Sequence, residues 1–259
     1  MTKEKKPLIL VVNDDGYHAK GIKSLVEVIS DFGEVLVVSP AKPQSGMGHA
    51  ITVSDILRLT KISDFGNIEA YSCSGTPVDC VKLAIYTVLK RKPDLIVSGI
   101  NHGGNYSISV LYSGTMSAAV EGAIEGVPSI GFSLNDHSLE ADFEASKRIV
   151  RAVVGKALKN KLAENICLNV NIPALKYDQI KGIKVCRQGM GNWEDNFEDL
   201  RDPSGLPYYW LAGKFQNLDK GEDTDIWAIE NGYVSVVPVQ YDMTAHQAIA
   251  GINNWELEK

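Results

Sequence analysis

Short apolar runs alternate with amphipathic segments of helical period through the first two thirds of this chain, and this alternation limits its fold more than any other feature. The runs lie at 8–12, 34–38, 94–97 and 166–170, with a weaker one at 128–132 that contains Pro and Gly. A run that is apolar at every position is typical of a parallel strand covered on both faces. We expect the intervening helices to supply that cover.

Four segments between or after the runs carry apolar residues at helical spacing, at 22–29, 81–88, 116–123 and 149–158. The second has a clear start, with Thr76 as the N-cap, Pro77 at the first helical position and Asp79 in the first turn. Strands and helices in this order predict a doubly wound, mostly parallel α/β sheet.

The pattern changes after about residue 185. Helical periodicity disappears, aromatic residues cluster between 193 and 215, and Asp-Pro, Ser-Gly and Asn-Gly pairs interrupt the chain. We therefore predict a core at 1–185 and, at 186–259, an extended hairpin or arm that includes a strand at 233–237 and a short helix near 244–249. Aromatic residues in such an arm favour contacts with another subunit. The alternative is that they cover the sheet of their own subunit.

Composition argues against some classes of partner. The net charge of −6 gives no basis for binding a nucleic-acid backbone, which calls for a basic patch. The four cysteines form no C-x-x-C pair, so we expect buried, reduced thiols. Residues 1–7 are polar and lysine-rich, but the apolar run behind them is too short for a signal sequence, and no stretch approaches the ~20 apolar residues that span a membrane. We expect a cytoplasmic protein without a membrane partner.

Two adjacent carboxylates follow the first predicted strand, in Asn13-Asp14-Asp15-Gly16. Ligands of open α/β sheets bind at the carboxyl ends of the strands, which is the position of Asp14 and Asp15. Their oxygens suit a divalent cation, which would also relieve their mutual repulsion, and Gly16 lets the chain turn sharply. The alternative is that one of the two carboxylates caps the next helix.

Three further polar segments fall near predicted strand ends, at 39–49, 98–105 and 112–117. The first two offer hydroxyl and amide oxygens, and the third opens a helix, where free backbone N–H groups attract an anion. The residues that we select from the last two are Asn101, Asn105, Ser113, Gly114 and Thr115. A plain helix cap is the competing interpretation of the third segment. Taken together with the carboxylates, these segments predict a cation beside a phosphate pocket.

Five motifs follow one another along the chain. They are Leu-Val-Val-Asn-Asp-Asp-Gly at 10–16, Gln-Ser-Gly-x-Gly-His-Ala-Ile-Thr at 44–52, Ser-Gly-Thr-Pro-x-Asp-Cys-Val at 74–81, Ser-Gly-Ile-Asn-x-Gly-x-Asn at 98–105 and Ser-Gly-Thr-x-Ser-Ala-Ala-x-Glu-Gly at 113–122. In these motifs the chain resembles the SurE family of nucleotidases and phosphatases. Because the motifs span so much of the chain in order, the resemblance is far more specific than any one of them.

The resemblance implies a Rossmann-like core with a C-terminal arm that is exchanged between subunits, giving homodimers or homotetramers. It implies a divalent metal ion in each subunit, Mg²⁺ or Mn²⁺, held by Asp14, Asp15, Ser45 and Asn101. The implied activity is removal of phosphate from nucleoside monophosphates, with 3'-nucleotides and short polyphosphate as further substrates.

The mechanistic hypothesis is in-line attack of a metal-activated water on phosphorus. Asp14 and Asp15 are the catalytic carboxylates, and Asp14 serves both as metal ligand and as proton acceptor. Asn105 and the helix start at 113–115 hold the phosphate oxygens, and these contacts strengthen as charge builds in the transition state.

Two histidines in the predicted loops, His18 and His49, are candidate proton donors to the leaving group. Two alternatives to the hydrolytic mechanism stay open. One is a phosphatase that forms a covalent aspartyl-phosphate on one of the two adjacent aspartates. The other is a nucleotide-binding module without catalysis, although the first loop lacks the G-x-G-x-x-G pattern of a dinucleotide site.

Overall fold

The computed structural model describes residues 6–160, 162–255 and 257. Within them, eleven strands form one large sheet and one separate hairpin. The strands are β1 (Leu8–Val12), β2 (Glu34–Pro40), β3 (Leu59–Ile62), β4 (Glu69–Cys73), β5 (Leu95–His102), β6 (Ser129–Leu134), β7 (Ile166–Ile172), β8 (Ile183–Val185), β9 (Gly191–Arg201), β10 (Pro207–Asn217) and β11 (Val234–Gln240).

The large sheet has the strand order β3-β4-β2-β1-β5-β6-β7-β11-β8. The six strands from β4 to β7 in this order are parallel, whereas β3 and β11 run antiparallel to β4 and β7. The prediction of a mostly parallel α/β sheet is therefore confirmed. All five predicted apolar runs are strands of its parallel part.

Strand β6 was the weakest of the five strand predictions because its run contains Pro and Gly. It is nevertheless buried along its whole length. Gly131 is required there because helix packing brings Met116 very close. A Cβ at Gly131 would lie 2.4 Å from the sulfur of Met116. A glycine inside a strand thus marks a close approach by a neighbouring element and not a break in the strand.

The α-helices of the described residues are α1 (Lys20–Ile29), α2 (Pro77–Leu83), α3 (Gly114–Ile124), α4 (Glu144–Ala157), α5 (Asp225–Glu230) and α6 (Ile249–Asn253). Thr76 caps α2 as predicted, since its hydroxyl accepts a hydrogen bond from the Asp79 N–H at 3.2 Å and the Asp79 carboxylate accepts one from the Thr76 N–H at 2.9 Å. Near the C-terminus a 3-10 turn at His246–Ala248 leads into α6, so this helix extends beyond the predicted 244–249.

Helices cover both faces of the sheet, which explains the uninterrupted apolar runs. Alternate residues of a strand point to opposite faces. Ile9 and Val11 of β1 accordingly pack in the core beneath α1 and α4, whereas Leu10 and Val12 pack in the core beneath α2 and α3. Helices thus pack on both faces of the sheet, which confirms the predicted doubly wound arrangement.

The aromatic segment forms a hairpin in which β9 pairs antiparallel with β10. The register places Trp193, Phe197, Tyr209 and Leu211 on one face, and all four side chains are exposed. In this single chain they are therefore not buried against their own sheet. The C-terminal segment also contributes to the core, because its strand β11 joins the large sheet beside β7. The predicted division at residue 185 stays a prediction.

Two smaller expectations concern the cysteines and the termini. All four cysteines are buried and free of disulfides, as predicted. In the part of the chain that the structure describes, no helix combines the length and the apolar character needed to span a bilayer. Residues 1–5, which belong to the lysine-rich N-terminal segment, lie outside the described residues.

Candidate active site

The direction of winding of the sheet changes between its central neighbours β1 and β5. From β1 the chain winds outward through β2 to β4, and it later returns to β5 and winds the other way to β6 and β7. The crevice at the carboxyl ends of two such strands is the usual ligand position of an open α/β sheet. Asp14 and Asp15 follow the end of β1, and Asn101 lies near the end of β5, so the predicted carboxylates and amide meet at this crevice.

Asp14 is almost fully buried, with 4% of its surface exposed. Its Oδ1 accepts a hydrogen bond from the Thr115 hydroxyl at 2.5 Å, and its backbone carbonyl accepts one from the Gln44 N–H at 2.8 Å. Burial, and after it the charge of Asp15, raises the pKa of Asp14 to about 7. A carboxyl group with such a pKa can exchange a proton near neutral pH.

Asp15 is half-buried, and its Oδ2 accepts a hydrogen bond from the His102 N–H at 3.2 Å. Burial raises the pKa of Asp15 as well. Among the ion pairs of the described residues, none reaches Asp14 or Asp15. Adjacent, partly dehydrated carboxylates repel each other unless a positive charge lies between them. The pair therefore fits a hard divalent cation.

Asn101 lies near the carboxyl end of β5, where the strand is irregular. The pairing of β5 with β6 shifts register between Ser98 and Asn101. Gly99 adopts a φ of +119°, and a Cβ there would lie 2.3 Å from the carbonyl oxygen of Phe132. The side-chain N–H of Asn101 donates to the Gly103 carbonyl at 2.7 Å. This leaves the Asn101 Oδ1 as the atom suited to a hard cation.

Ser45 lies in an exposed loop that is anchored to the crevice on both sides. Before it, Gln44 donates to the Asp14 carbonyl, and after it, Gly48 donates to the Tyr112 carbonyl at 3.2 Å. Residues 6–160, 162–255 and 257 contain no group of three or more His, Cys, Asp and Glu that could hold a metal. A cation at this crevice would therefore need hydroxyl or amide oxygens in addition to the two carboxylates.

Helix α3 begins directly against Asp14. A Cβ at Gly114 would lie 2.6 Å from the Cβ of Asp14, so glycine permits this close approach. Ser113 is the N-cap, and its hydroxyl accepts a hydrogen bond from the Met116 N–H at 3.0 Å. The hydroxyls of Ser113 and Thr115 thus have partners within the protein. The backbone N–H groups of the first turn are the groups that suit an anion.

Asn105 belongs to a buried polar network that the sequence analysis did not anticipate. Its side-chain N–H donates to the Ser133 hydroxyl at 2.8 Å, and its backbone N–H donates to the Asn171 side chain at 2.7 Å. Its carbonyl accepts a hydrogen bond from the Asn169 side chain at 2.7 Å. The network fixes the loop after β5. Its signal in the sequence was Asn-x-Asn within an apolar run, a spacing that puts both amides on one face of a strand.

The two candidate proton donors have different surroundings. The His18 side chain is 70% exposed and lies 3.3 Å from Asp64. The His49 side chain is 36% exposed, and its Nε2 lies 2.9 Å from Oε2 of Glu121. Burial opposes ionisation of Glu121, but the hydrogen bonds from His49 and Lys82 outweigh it and hold the pKa of Glu121 below its usual range. Glu121, which in the sequence is only one residue of the motif at 113–122, is a buried acidic side chain in a helix of small and apolar residues.

Together, these features define an α/β protein of the Rossmann-like class with an acidic crevice at its switch point and a helix N-terminus beside it. The chain belongs to the SurE family. The family model described as Survival protein SurE matches residues 9–195. The resemblance found in the motifs is thereby confirmed.

Relatives named 5'-nucleotidase SurE and a solved structure are similar over nearly the whole chain. The 5'-nucleotidase SurE of Flavobacterium johnsoniae is 59% identical over 256 residues, which cover 98% of this chain and 99% of that protein. The 5'-nucleotidase SurE of Flavobacterium psychrophilum is 58% identical over 255 residues, again 98% and 99% of the two chains. The crystal structure of the SurE protein from Aquifex aeolicus matches with a TM-score of 0.83 and 42% identity, covering 97% of this chain and 100% of that one.

Proposed function

We propose that this chain is a 5'-nucleotidase that depends on a divalent cation, Mg²⁺ or Mn²⁺, for hydrolysis of nucleoside monophosphates. The reaction class is supported by relatives named 5'-nucleotidase at 58% and 59% identity over nearly the full length. The observation that carries the metal dependence is the adjacent pair Asp14 and Asp15. Both carboxylates lie at the switch point with pKa values raised by burial, and the described residues supply no ion pair to either.

The cation is assigned to oxygens of Asp14, Asp15, Ser45 and Asn101. Two carboxylates, a hydroxyl and an amide are hard ligands of the kind that Mg²⁺ and Mn²⁺ accept. A cation bound there supplies positive charge that offsets the charge of the phosphate and makes water more acidic. The remaining steps are assigned to groups of the chain itself.

Asp14 is assigned as the acceptor of the proton from the attacking water. Burial raises the pKa of Asp14 to about 7 in the metal-free protein, and a cation bound to this carboxylate would lower that pKa again. The Thr115 hydroxyl bonds to Oδ1 and fixes the orientation of the carboxylate. Asp15, the second catalytic carboxylate, is oriented by the His102 N–H.

The phosphate is assigned to the N-terminal turn of α3, which begins beside Asp14. The first N–H groups of a helix have no partner within the helix and carry partial positive charge. They would hold phosphate oxygens and stabilise the negative charge that develops on them. Asn105 is assigned to the same pocket, with its loop fixed by the amides of Asn169 and Asn171.

The hairpin of β9 and β10 is assigned as the contact between copies of the chain, in a homodimer or homotetramer. Its apolar face, formed by Trp193, Phe197, Tyr209 and Leu211, is exposed in the single chain. An exposed apolar face of this kind marks an association surface.

The primary test is phosphate release from a panel of 5'-nucleoside monophosphates by protein freed of metal with a chelator. The panel also contains a 3'-nucleotide and a short polyphosphate, which are further proposed substrates. We expect no release without metal and restored release with Mg²⁺ or Mn²⁺. Asp14→Asn should abolish turnover and leave the circular dichroism spectrum unchanged, whereas the exposed Asp31→Asn should retain activity. Release that persists in chelator would overturn the metal assignment.

The two alternative functions predict different results from the same protein. A covalent aspartyl-phosphate requires two displacements at phosphorus and would release phosphate with retention of configuration from a substrate made chiral at phosphorus by isotopic labelling, whereas direct attack by water gives inversion. A binding module would retain a nucleoside monophosphate in saturating metal without releasing phosphate.

A further inference from the structure

A buried carboxylate in α3, that of Glu121, has no part in the mechanism given above. Its side chain is only 3% exposed, and it lies between two basic side chains. Its Oε2 is 2.9 Å from His49 Nε2, and its Oε1 is 2.5 Å from Lys82 Nζ. Burying a charge is costly unless it is paired. The buried Glu121 carboxylate is therefore held in place by its two partners, and it in turn holds the His49 ring.

The loop that bears His49 lies along the candidate active site. It starts at Gln44, which is bonded to the Asp14 carbonyl, and it closes at Gly48, which is bonded to the Tyr112 carbonyl. Tyr112 directly precedes the N-cap of α3, and a Cβ at Gly48 would lie 3.1 Å from the neighbouring carbonyl of Leu111. His49 therefore follows a backbone segment that lies beside the start of the proposed phosphate-binding helix.

The contact with Glu121 orients the imidazole of His49. A carboxylate bonded to one ring nitrogen fixes the orientation of the ring. With Nε2 engaged by Glu121, Nδ1 is the nitrogen left for a substrate. The His49 ring is 36% exposed, so it is open to a ligand as well as anchored, whereas the His18 ring is 70% exposed and pairs with Asp64.

We propose that His49 donates the proton to the leaving ribose oxygen and that Glu121 is its positioning residue. As the bond from the water oxygen to phosphorus forms, the bond from phosphorus to the ribose oxygen breaks. The proton on Nδ1 of His49 passes to that oxygen, the proton of the water passes to Asp14, and His49 is reprotonated by solvent. This inference rests on the proposed nucleotidase function and names its general acid.

The test compares two substrates whose leaving groups differ in their need for a proton. The ribose oxygen of AMP must be protonated to leave well, whereas p-nitrophenolate leaves as a stable anion. Removing a general acid lowers the rate by about 10²-fold or more. His49→Asn should show this loss in kcat with AMP and little change in kcat with p-nitrophenyl phosphate, both measured with the metal-loaded, full-length protein.

Variants of Glu121 separate positioning from folding. Glu121→Ala should show the same selective loss with AMP, and Glu121→Gln, which keeps an acceptor for the His49 ring, should recover part of it. The double variant with His49→Asn should be no slower with AMP than His49→Asn alone. Lys82→Met is the matched control, because it removes the other partner of Glu121 and leaves the contact with His49; any change it causes should be equal for the two substrates.

Equal losses of kcat with the two substrates in His49→Asn, or full activity with AMP, would overturn this inference. The same selective loss in His18→Asn, with His49→Asn unaffected, would transfer the role to His18. These outcomes leave the proposed function standing, since the wild-type protein would still release phosphate. A wild-type protein that releases phosphate from neither substrate in any metal would overturn the proposed function and this inference together.

Discussion

Thr115 donates its hydroxyl to Oδ1 of Asp14 at 2.5 Å, joining the first turn of α3 to the loop at the end of β1. Burial raises the pKa of Asp14, and this hydrogen bond acts in the opposite direction because it stabilises the charged carboxylate. One contact thus joins the proposed phosphate-binding helix to the proposed general base and partly offsets the effect of burial on the pKa of that base.

Removing that hydroxyl should change the pH dependence of catalysis. Thr115→Val keeps the shape of the side chain but removes the donor, so the pKa of Asp14 should rise further. A hydrogen bond to a charged group is worth about 1.5–3 kcal/mol, and the acid limb of the kcat/KM profile should move to higher pH by about one unit or more. Thr115→Ser retains the donor and should keep the wild-type profile. An unmoved limb in Thr115→Val would contradict the assignment of Asp14 as the base.

Stability without metal should also depend on Asp14. The folded protein binds this proton with a pKa of about 7, compared with 3.8, the ordinary value of an aspartate, in the unfolded chain. Between these values the folded state holds more protons, so this contribution to the unfolding free energy falls as pH rises from about 4 to 7. Asp14→Asn removes it, and the stability gain of the variant should grow over that range to at most about 4 kcal/mol. Urea unfolding of the wild-type protein and of Asp14→Asn, both in chelator, measures this difference in unfolding free energy at each pH. A difference that is constant with pH would count against the raised pKa of Asp14.

Asp225 should be one of the most sensitive positions for stability. Its buried carboxylate accepts hydrogen bonds from the N–H groups of Ser107 at 2.9 Å and Gly189 at 2.8 Å, joining the loop after Asn105 to the base of the hairpin. Asp225→Ala leaves both donors without an acceptor, at about 1–3 kcal/mol each. Thermal unfolding should show this loss. Asp223→Ala, which removes an exposed partner of Arg187, should change stability far less, and equal losses in the two variants would refute the assignment.

Two helical glycines should respond in opposite ways to the same substitution. A Cβ at Gly114 would lie 2.6 Å from that of Asp14, whereas a Cβ at Gly155 in α4 meets its nearest neighbour, Phe32, at 3.5 Å. Gly114→Ala should displace the start of α3 and lower kcat by about 10²-fold, as expected for a misplacement of about 1 Å. Gly155→Ala should be fully active and more stable by about 0.5–1 kcal/mol. Steady-state kinetics and thermal unfolding of both variants provide the comparison.

Charges placed on the apolar face of the hairpin should reduce association. Phe197 and Leu211 are directly paired across β9 and β10, and both are exposed. Replacing both with Glu should give a lighter species by light scattering, because the interface would have to bury two carboxylates. Glu198→Gln, on the opposite face, should leave the mass unchanged. A wild-type protein that is monomeric would contradict the proposed interface.

The sheet could be predicted because its strands are buried on both sides. The run at 8–12 coincides with β1, and each of the other runs overlaps a strand, because a continuous apolar run of this length suits the interior of an α/β protein. The positions of Asp14 and Asn101 followed from the rule that ligands bind at strand ends. Their union in one crevice also required the winding to reverse between β1 and β5, which periodicity does not reveal.

The polar contacts behind the site could not be predicted, because they join residues that are far apart in sequence. Glu121 meets His49 across 72 positions, and Asn169 meets Asn105 across 64. In the sequence, Glu121 and Asn169 are polar residues within apolar segments, whereas His49 and Asn105 belong to polar loops. Only the packing of α3 and β7 against the site loops shows that they have partners and are not exposed to solvent.

The large sheet ends in two short edge strands, β3 and β8, of four and three residues. Each carries a lysine, Lys61 and Lys184, and short edges with lysine are poor templates for adding a further strand. Aggregation by growth of this sheet from one molecule into the next is therefore disfavoured in the folded protein. Protection of this kind depends on strand length and charge at the two edges, so it would survive the loss of every residue assigned to catalysis.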